Sequence, residues 1–242
     1  MTKTNNMGQI IKYKAQLVAK GCSQHPGFNY YETYSPVIQI ETIHAILALV
    51  PQMDLHVQQM VIKGAAYLNG TLKENVYMCQ PEGYGDGTDR ICHLKKTIYG
   101  LKQSGHEWNT NLNEVLQALG FMRLLSDSCA YIRCHGKDFE ILTAWVDDLS
   151  LFTTSEEGMR ALKAQIAQHW GVTDLGEPSK IIGIEIQRTS DYISITQHQY
   201  IETILHKRGM ECTNPVAVPM DPNNLPIPNP DLAEENRSNP YV

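Results

Sequence analysis

The chain has 242 residues, of which 42% are apolar and 19% charged, with a formal net charge of −6. That length holds one large domain or two small ones around a sizeable core, and no run of about 18 apolar residues occurs, so no transmembrane helix is expected. The acidic sum weighs against nucleic acid as a partner. Yet Lys3, Lys12, Lys14 and Lys20 precede any acid, and Arg90, His93, Lys95, Lys96 and Lys102 form a second basic segment; such segments fit a phosphate-tracking groove as well as an ordinary solvated face.

The N-terminus lacks the apolar core of a secretory signal, which points to an intracellular protein. In that setting Cys22, Cys79, Cys92, Cys129, Cys134 and Cys212, with no C-x-x-C pair among them, are expected as reduced, mostly buried thiols.

Residues 1–10 are polar and expected to be disordered. In residues 11–20, Tyr13, Ala15, Leu17 and Ala19 alternate with Lys12, Lys14, Gln16 and Lys20, as in a half-exposed strand. A loop over 21–36 carries Tyr30, Tyr31 and Tyr34, which should pack on something. Ile40, Ile43, Leu47 and Val50 recur at helical spacing, and Pro51 is expected to end that helix. Residues 55–62 read as a strand, 63–69 as a short helical piece closed by Asn69-Gly70, and 76–79 and 91–94 as strands around a Gly/Pro loop. Next comes an amphipathic helix with Trp108, Leu112, Val115, Leu116 and Leu119 on one face and Gly120 past its end.

Residues 130–134 pair plausibly with 139–146, and 139–154 form a further hairpin whose two apolar runs meet at Asp147 and Asp148. Adjacent carboxylates in apolar surroundings repel and resist desolvation, so they suggest a hard divalent cation; a solvated Asp-Asp turn is the plainer reading of the same two residues. Ser155 caps a helix that buries Met159, Leu162, Ile166 and Trp170. A hairpin over 181–197 and a helix over 198–208, with Ile201, Ile204 and Leu205 inward, follow. From Asn214 the chain is rich in Pro and Asn and is expected to be extended or disordered. The sum is an α+β fold, an antiparallel sheet with helices packed on one face and the other free for a large ligand.

Nine separated blocks together resemble the reverse transcriptase domain of copia-type long-terminal-repeat retrotransposon polyproteins. They are YKAQLVAKG at 13–21, YSPV at 34–37, YLNG at 67–70, VYM at 76–78, QPEGY at 80–84, YGLKQ at 99–103, WVDD at 145–148, DLGE at 174–177 and GIEI at 183–186. The resemblance covers residues 11–222, between a disordered 1–10 and a Pro/Asn-rich acidic tail at 223–242. It implies a right-hand polymerase with palm, fingers and a partial thumb starting near 198–210. The implied reaction is RNA-directed DNA synthesis with Mg²⁺ or Mn²⁺, in which two cations bridge the attacking and leaving oxygens.

On that resemblance Asp147 and Asp148 are the paired catalytic carboxylates and metal ligands. Lys14, Lys20 and Gln103 lie near the incoming nucleotide, and Ile182, Gly183 and Ile184 grip the primer. The implied partners are an RNA or DNA template with its primer and deoxynucleoside triphosphates, with no membrane; self-association, or a thumb and RNase H region supplied from elsewhere, would complete the hand. The implied location is cytoplasmic, in a virus-like particle of the parent element, or nuclear.

The sequence departs from the family where a third catalytic Asp is expected, in a pattern reading QMDVK and running into YLNG. Counting forward from Gln59-Met60 the position is Val61; counting back from Asn69-Gly70 it is Ile62, because the segment is one residue longer. Asp54, seven residues upstream of Val61, would be about 23 Å away along a strand. Gln16 also replaces an Arg, Cys22 an aromatic and Ser128 a Pro. These departures imply a fragment of a decayed element with impaired catalysis; a non-catalytic nucleic-acid-binding module and an inert relic product are the alternatives.

Overall fold

The computed structural model describes residues 2–4, 10–13, 15–64, 66–135, 138–189 and 192–216. Lys14 and most of the Pro/Asn-rich end lie outside the described residues.

At the start, β1 (Thr2–Thr4) pairs antiparallel with β2 (Ile10–Tyr13). The strand expected through residue 20 is shorter. Residues 15–20 leave the ladder, and Ala19 donates its N–H to the Tyr99 carbonyl at 2.8 Å. This close approach needs glycine: any side chain on Gly21 would collide with the Gly100 carbonyl, and Gly100 has φ +92°. A 3₁₀ turn (Gly21–Ser23) follows, then α1 (Ile40–Gln52), which buries Ile43, Ile46, Leu47 and Val50. Pro51 lies inside the last turn of α1, where one missing backbone bond is tolerated because the helix is already ending.

The chain continues through β3 (His56–Ile62), a 3₁₀ turn (Ala66–Asn69), β4 (Thr71–Cys79), β5 (Ile91–Lys96) and α2 (Ser104–Ala118). Then come β6 (Met122–Arg123), β7 (Ala130–His135), β8 (Asp138–Trp145), β9 (Asp148–Thr153) and α3 (Glu156–His169). The last strands of this unit are β10 (Val172–Gly176), β11 (Lys180–Ile181), β12 (Ile184–Arg188) and β13 (Ile193–Thr196). Ser155 caps α3, accepting the Gly158 N–H at 3.0 Å.

The central sheet has the order β10-β3-β9-β8-β7-β6 with every neighbour antiparallel. Because side chains alternate along a strand, adjacent apolar residues supply two cores. Met60, Ile62, Leu142, Leu149 and Leu151 meet Trp108, Leu112 and Leu116 of α2 and Met159, Leu162 and Ile166 of α3. Val57, Ile141 and Phe152 point the other way and meet α1 together with Ile181 and Ile184. Helices on one face only is therefore corrected: strands apolar on both faces require cover on both. The second cover stops short of the β3 and β9 ends that carry Val61 and Asp148, which stay half-exposed.

A separate compact unit begins at Gln197 and contains α4 (His198–Lys207). Its expected inward face is not buried: Ile201 and Ile204 are 53% and 42% exposed. Most cysteines also differ from expectation, since only Cys129 is buried while Cys22, Cys79, Cys134 and Cys212 are exposed. They sit in turns and at hairpin ends, where a small side chain has no core to enter. No helix among the described residues is long and apolar enough to cross a membrane.

Candidate active site

The β8–β9 hairpin brings the acidic pair to a fixed place. Its register runs unbroken from Glu140 opposite Thr153 to Trp145 opposite Asp148, leaving Val146 and Asp147 as a two-residue turn. Val146 has φ +53°, a costly conformation for a β-branched residue, of about 1–3 kcal/mol. The turn is held from two sides: Trp108 donates its indole N–H to the Val146 carbonyl at 3.0 Å, and Ile62 donates its N–H to the Asp147 carbonyl at 2.9 Å.

The two carboxylates have different surroundings. Asp147 accepts the Ala66 N–H at 2.8 Å on Oδ1, and the Tyr99 hydroxyl lies 3.2 Å from Oδ1 and 3.0 Å from Oδ2. Burial first, and then the negative charge of Asp147, push the Tyr99 hydroxyl well above its ordinary range, so it remains a neutral donor at neutral pH. Tyr67 is shifted the same way for the same reasons, and its ring packs on that of Tyr99 with centroids 4.4 Å apart. Burial, and secondarily Asp147, raise the Asp148 carboxyl. Asp147 is thus well solvated by protein donors, while Asp148 carries the cost of proximity.

Val61 pairs directly with Asp148 across the β3–β9 ladder. Directly opposed residues share a face of the sheet with Cβ atoms about 4.5–5.5 Å apart. Ile62 turns the other way, 2% exposed, into the core with Met60. The residue beside the acid pair is therefore Val61, and the chain turns after Ile62 at Lys63-Gly64, where Gly64 has φ +82°. Across the sheet the row reads Thr173, Val61, Asp148, Trp145.

No group of three or more His, Cys, Asp or Glu among the described residues is placed to hold a metal ion. Two carboxylates beside a valine offer fewer ligands than a two-cation centre takes. Asp54 does not complete it, because it pairs with Arg188 at 3.2 Å near the opposite end of β3.

The other expected site residues that the structure describes sit on other elements. Lys20 is exposed next to the first 3₁₀ turn. Gln103 is fully buried: its amide donates to the Asn29 carbonyl at 2.9 Å and to Glu74 at 3.4 Å, and its oxygen accepts from Gln24 at 3.0 Å. It clamps the 21–29 loop onto β4. Ile182 and Gly183, with φ +47° and +81°, form the turn between β11 and β12, and Ile184 is buried against the α1 core. No hydrogen bond among the described residues joins Lys20, Gln103 or residues 182–184 to Asp147 or Asp148. Of the replaced positions, Ser128 offers its carbonyl to Arg123 at 2.8 Å, and Gln16 is exposed.

Sequence reasoning missed Tyr99, Tyr67 and the Ala66 N–H. Tyr99 belongs to the same YGLKQ block as Gln103, but nothing in a linear block says which of its polar groups faces the acids.

A model of the family described as reverse transcriptase (RNA-dependent DNA polymerase) matches residues 1–222. The retrovirus-related Pol polyprotein from transposon TNT 1-94 of Nicotiana tabacum is 35% identical over 218 residues, covering 88% of this chain and 16% of that protein. The corresponding polyprotein from transposon RE1 of Arabidopsis thaliana is 33% identical over 223 residues, covering 91% of this chain and 15% of that one. The chain thus spans a small part of the length of these relatives. Among solved structures, an apo telomerase from Candida tropicalis truncated from its C-terminal domain aligns at a TM-score of 0.39 and 13% identity, covering 67% of this chain and 41% of that one, a likeness too slight to carry structural detail. The match over nearly the whole described chain places this protein in the reverse transcriptase family, among copia-type retrotransposon Pol sequences.

Proposed function

We propose that the chain is the palm and fingers of a copia-type reverse transcriptase, descended from an RNA-directed DNA polymerase and no longer able to run the chemistry. The observation that carries this reading is Val61 opposite Asp148 on the half-exposed end of the sheet. Nucleotidyl transfer needs charge-stabilising cations held between carboxylates. An isopropyl group offers no ligand atom, and a carboxylate missing from the ligand set removes several kcal/mol of transition-state stabilisation, or roughly three powers of ten in rate. In this reading Lys14 and Lys20 supply positive charge for the triphosphate, Gln103 shapes that surface by clamping the 21–29 loop, and the turn at Ile182-Gly183 with Ile184 supports the primer end. A template-primer duplex is the partner, bound without being extended.

Primer extension on an RNA template, in Mg²⁺ and in Mn²⁺, tests the proposal. The unmodified chain is expected to add no nucleotide above background, and Val61→Asp to restore measurable extension. Extension by the unmodified chain at a rate within about tenfold of the Val61→Asp variant refutes the loss of chemistry.

A further inference from the structure

We propose that the outer face of the β4–β5 hairpin, built on Tyr77, His93 and Lys95, is a stacking platform for the bases of an unpaired nucleic-acid strand. It rests on the reading above, in which nucleic acid is the partner, and adds to it a single-stranded ligand and a place for that ligand.

Strand alternation separates the two faces of the hairpin. Val76, Met78 and Leu94 turn inward and pack with Ile98 and Leu101. Tyr77 and His93, directly opposed across the ladder, therefore stand on the other face, where Tyr77 is 54% exposed. Their rings stack with centroids 4.7 Å apart and an interplanar angle of 25°. Lys95, next but one along β5 and so on the same face, places Nζ 3.1 Å from Nδ1 of His93. An ammonium can only donate, so the imidazole nitrogen accepts and the charge is held beside the rings. A cross-strand aromatic pair steadies any two-stranded hairpin. Here the pair also leaves its larger ring open to solvent and fixes a cation next to it, the two elements with which proteins bind unpaired bases and their phosphates.

Charge selects the occupant. Residues 90–106 carry Arg90, Lys95, Lys96 and Lys102 and no acid, in a chain of net charge −6. Glu74, the one acid of β4, is half-buried and accepts from the Gln103 amide at 3.4 Å. Glu82, Asp86 and Asp89 belong to the 80–90 loop past the Cys79–Ile91 end of the ladder, where Asp86 is engaged by Gln80, Thr88 and Arg90. The phosphates of a bound strand accordingly run from the two rings toward Lys95, away from that loop. A duplex keeps its bases stacked inside and offers Tyr77 no ring face, so the ligand is the unpaired form.

A fluorescent oligothymidylate of about ten nucleotides, followed by anisotropy on the full chain, is the probe. Tyr77→Phe, which keeps the ring, is expected to stay within about twofold of the unmodified chain, and Tyr77→Leu, which keeps apolar bulk without a ring face, to bind about tenfold more weakly. Lys95→Gln is expected to flatten the slope of log affinity against log salt by about 0.7, the value of one phosphate contact on a single strand. Binding by Tyr77→Leu within about twofold of the unmodified chain overturns the proposal. A changed sedimentation coefficient in that variant without a change in strand binding assigns the face to a contact between protein chains and overturns it as well.

Photocrosslinking of the unmodified chain to an oligonucleotide carrying iodouracil covers the case of a Tyr77→Leu protein that does not fold. Crosslinks are expected in the peptides holding Tyr77 or His93, and crosslinks confined to other segments overturn the platform. A blunt primer-template duplex separates this proposal from the functional reading. An unmodified chain that binds it as tightly as the same duplex with an unpaired extension overturns the platform and leaves nucleic acid as the partner, whereas a chain that binds neither overturns both.

Discussion

Asp148 carries the least compensated charge of the acid pair. Its carboxyl is raised by burial and by the adjacent Asp147, so the folded chain holds a proton there more tightly than the unfolded chain does. Such a group adds no penalty below the unfolded value, about 3.9 for Asp. It destabilises progressively as pH climbs through the window up to the raised folded value, and at neutral pH the whole penalty is present. Asp148→Asn should therefore raise the thermal midpoint at pH 7, by about 2 °C once solvent screening at this half-exposed position is allowed for, and should change it little near pH 3. Scanning calorimetry at the two pH values checks this, and a lower midpoint at pH 7 would contradict it. The acid pair was legible from its two residues and their apolar flanks, but the unequal roles were not. They arise from Tyr99 and Ala66, which lie 48 and 81 residues away in sequence from Asp147. Gln103 shows the same limit from the other side: an amide in a loop gives no sign that it will be fully buried as a clamp.

Among the elements, β7 and β8 are joined by more than their ladder. Arg133 and Glu140 oppose each other across it, and both are buried, with Nε and Oε2 2.5 Å apart. The same guanidinium donates to the Leu119 carbonyl just past α2 and to Gln165 of α3, and lies 4.5 Å over the Phe121 ring. One side chain thus ties the ends of two helices to two strands, and its charge is balanced by Glu140 alone among the residues it touches. Removing that balance leaves a buried cation, which costs about 3–5 kcal/mol, whereas replacing the whole pair by apolar residues need not. Glu140→Gln is expected to lower the unfolding free energy by about 3 kcal/mol in urea titrations, and an effect below about 1 kcal/mol would show that water reaches the guanidinium. The strands themselves were readable from their apolar runs and the helices from their 3.6-residue spacing. Arg133 and Glu140 were passed over because a charged pair in a hairpin normally marks a solvated face. The apolar spacing of α4 misled in the opposite direction, since periodicity reports which face could be buried and says nothing of whether a partner is present.

At the scale of the whole molecule, the central sheet closes through its two apolar cores and not through the acid pair. A carboxylate cluster at the end of a sheet is a source of repulsion that bound cations offset, and a protein with such a cluster gains stability from metal by mass action. A site with a dissociation constant of 0.1 mM would add about 2.7 kcal/mol at 10 mM Mg²⁺, or several degrees in the midpoint of a unit this size. Here the end of the sheet carries two adjacent acids beside a valine. Val61 carries no charge, Asp147 accepts hydrogen bonds from the Tyr99 hydroxyl and the Ala66 N–H, and Asp148 has its carboxyl raised by burial and by Asp147. The two cores that close the central sheet on both faces contain no acid of this site and require no ion to form. The thermal midpoint in 10 mM MgCl₂ and in excess EDTA at constant ionic strength should therefore agree within about 1 °C. A rise of several degrees with Mg²⁺ that disappears in Asp148→Asn would mean that the acid pair gathers a cation despite Val61.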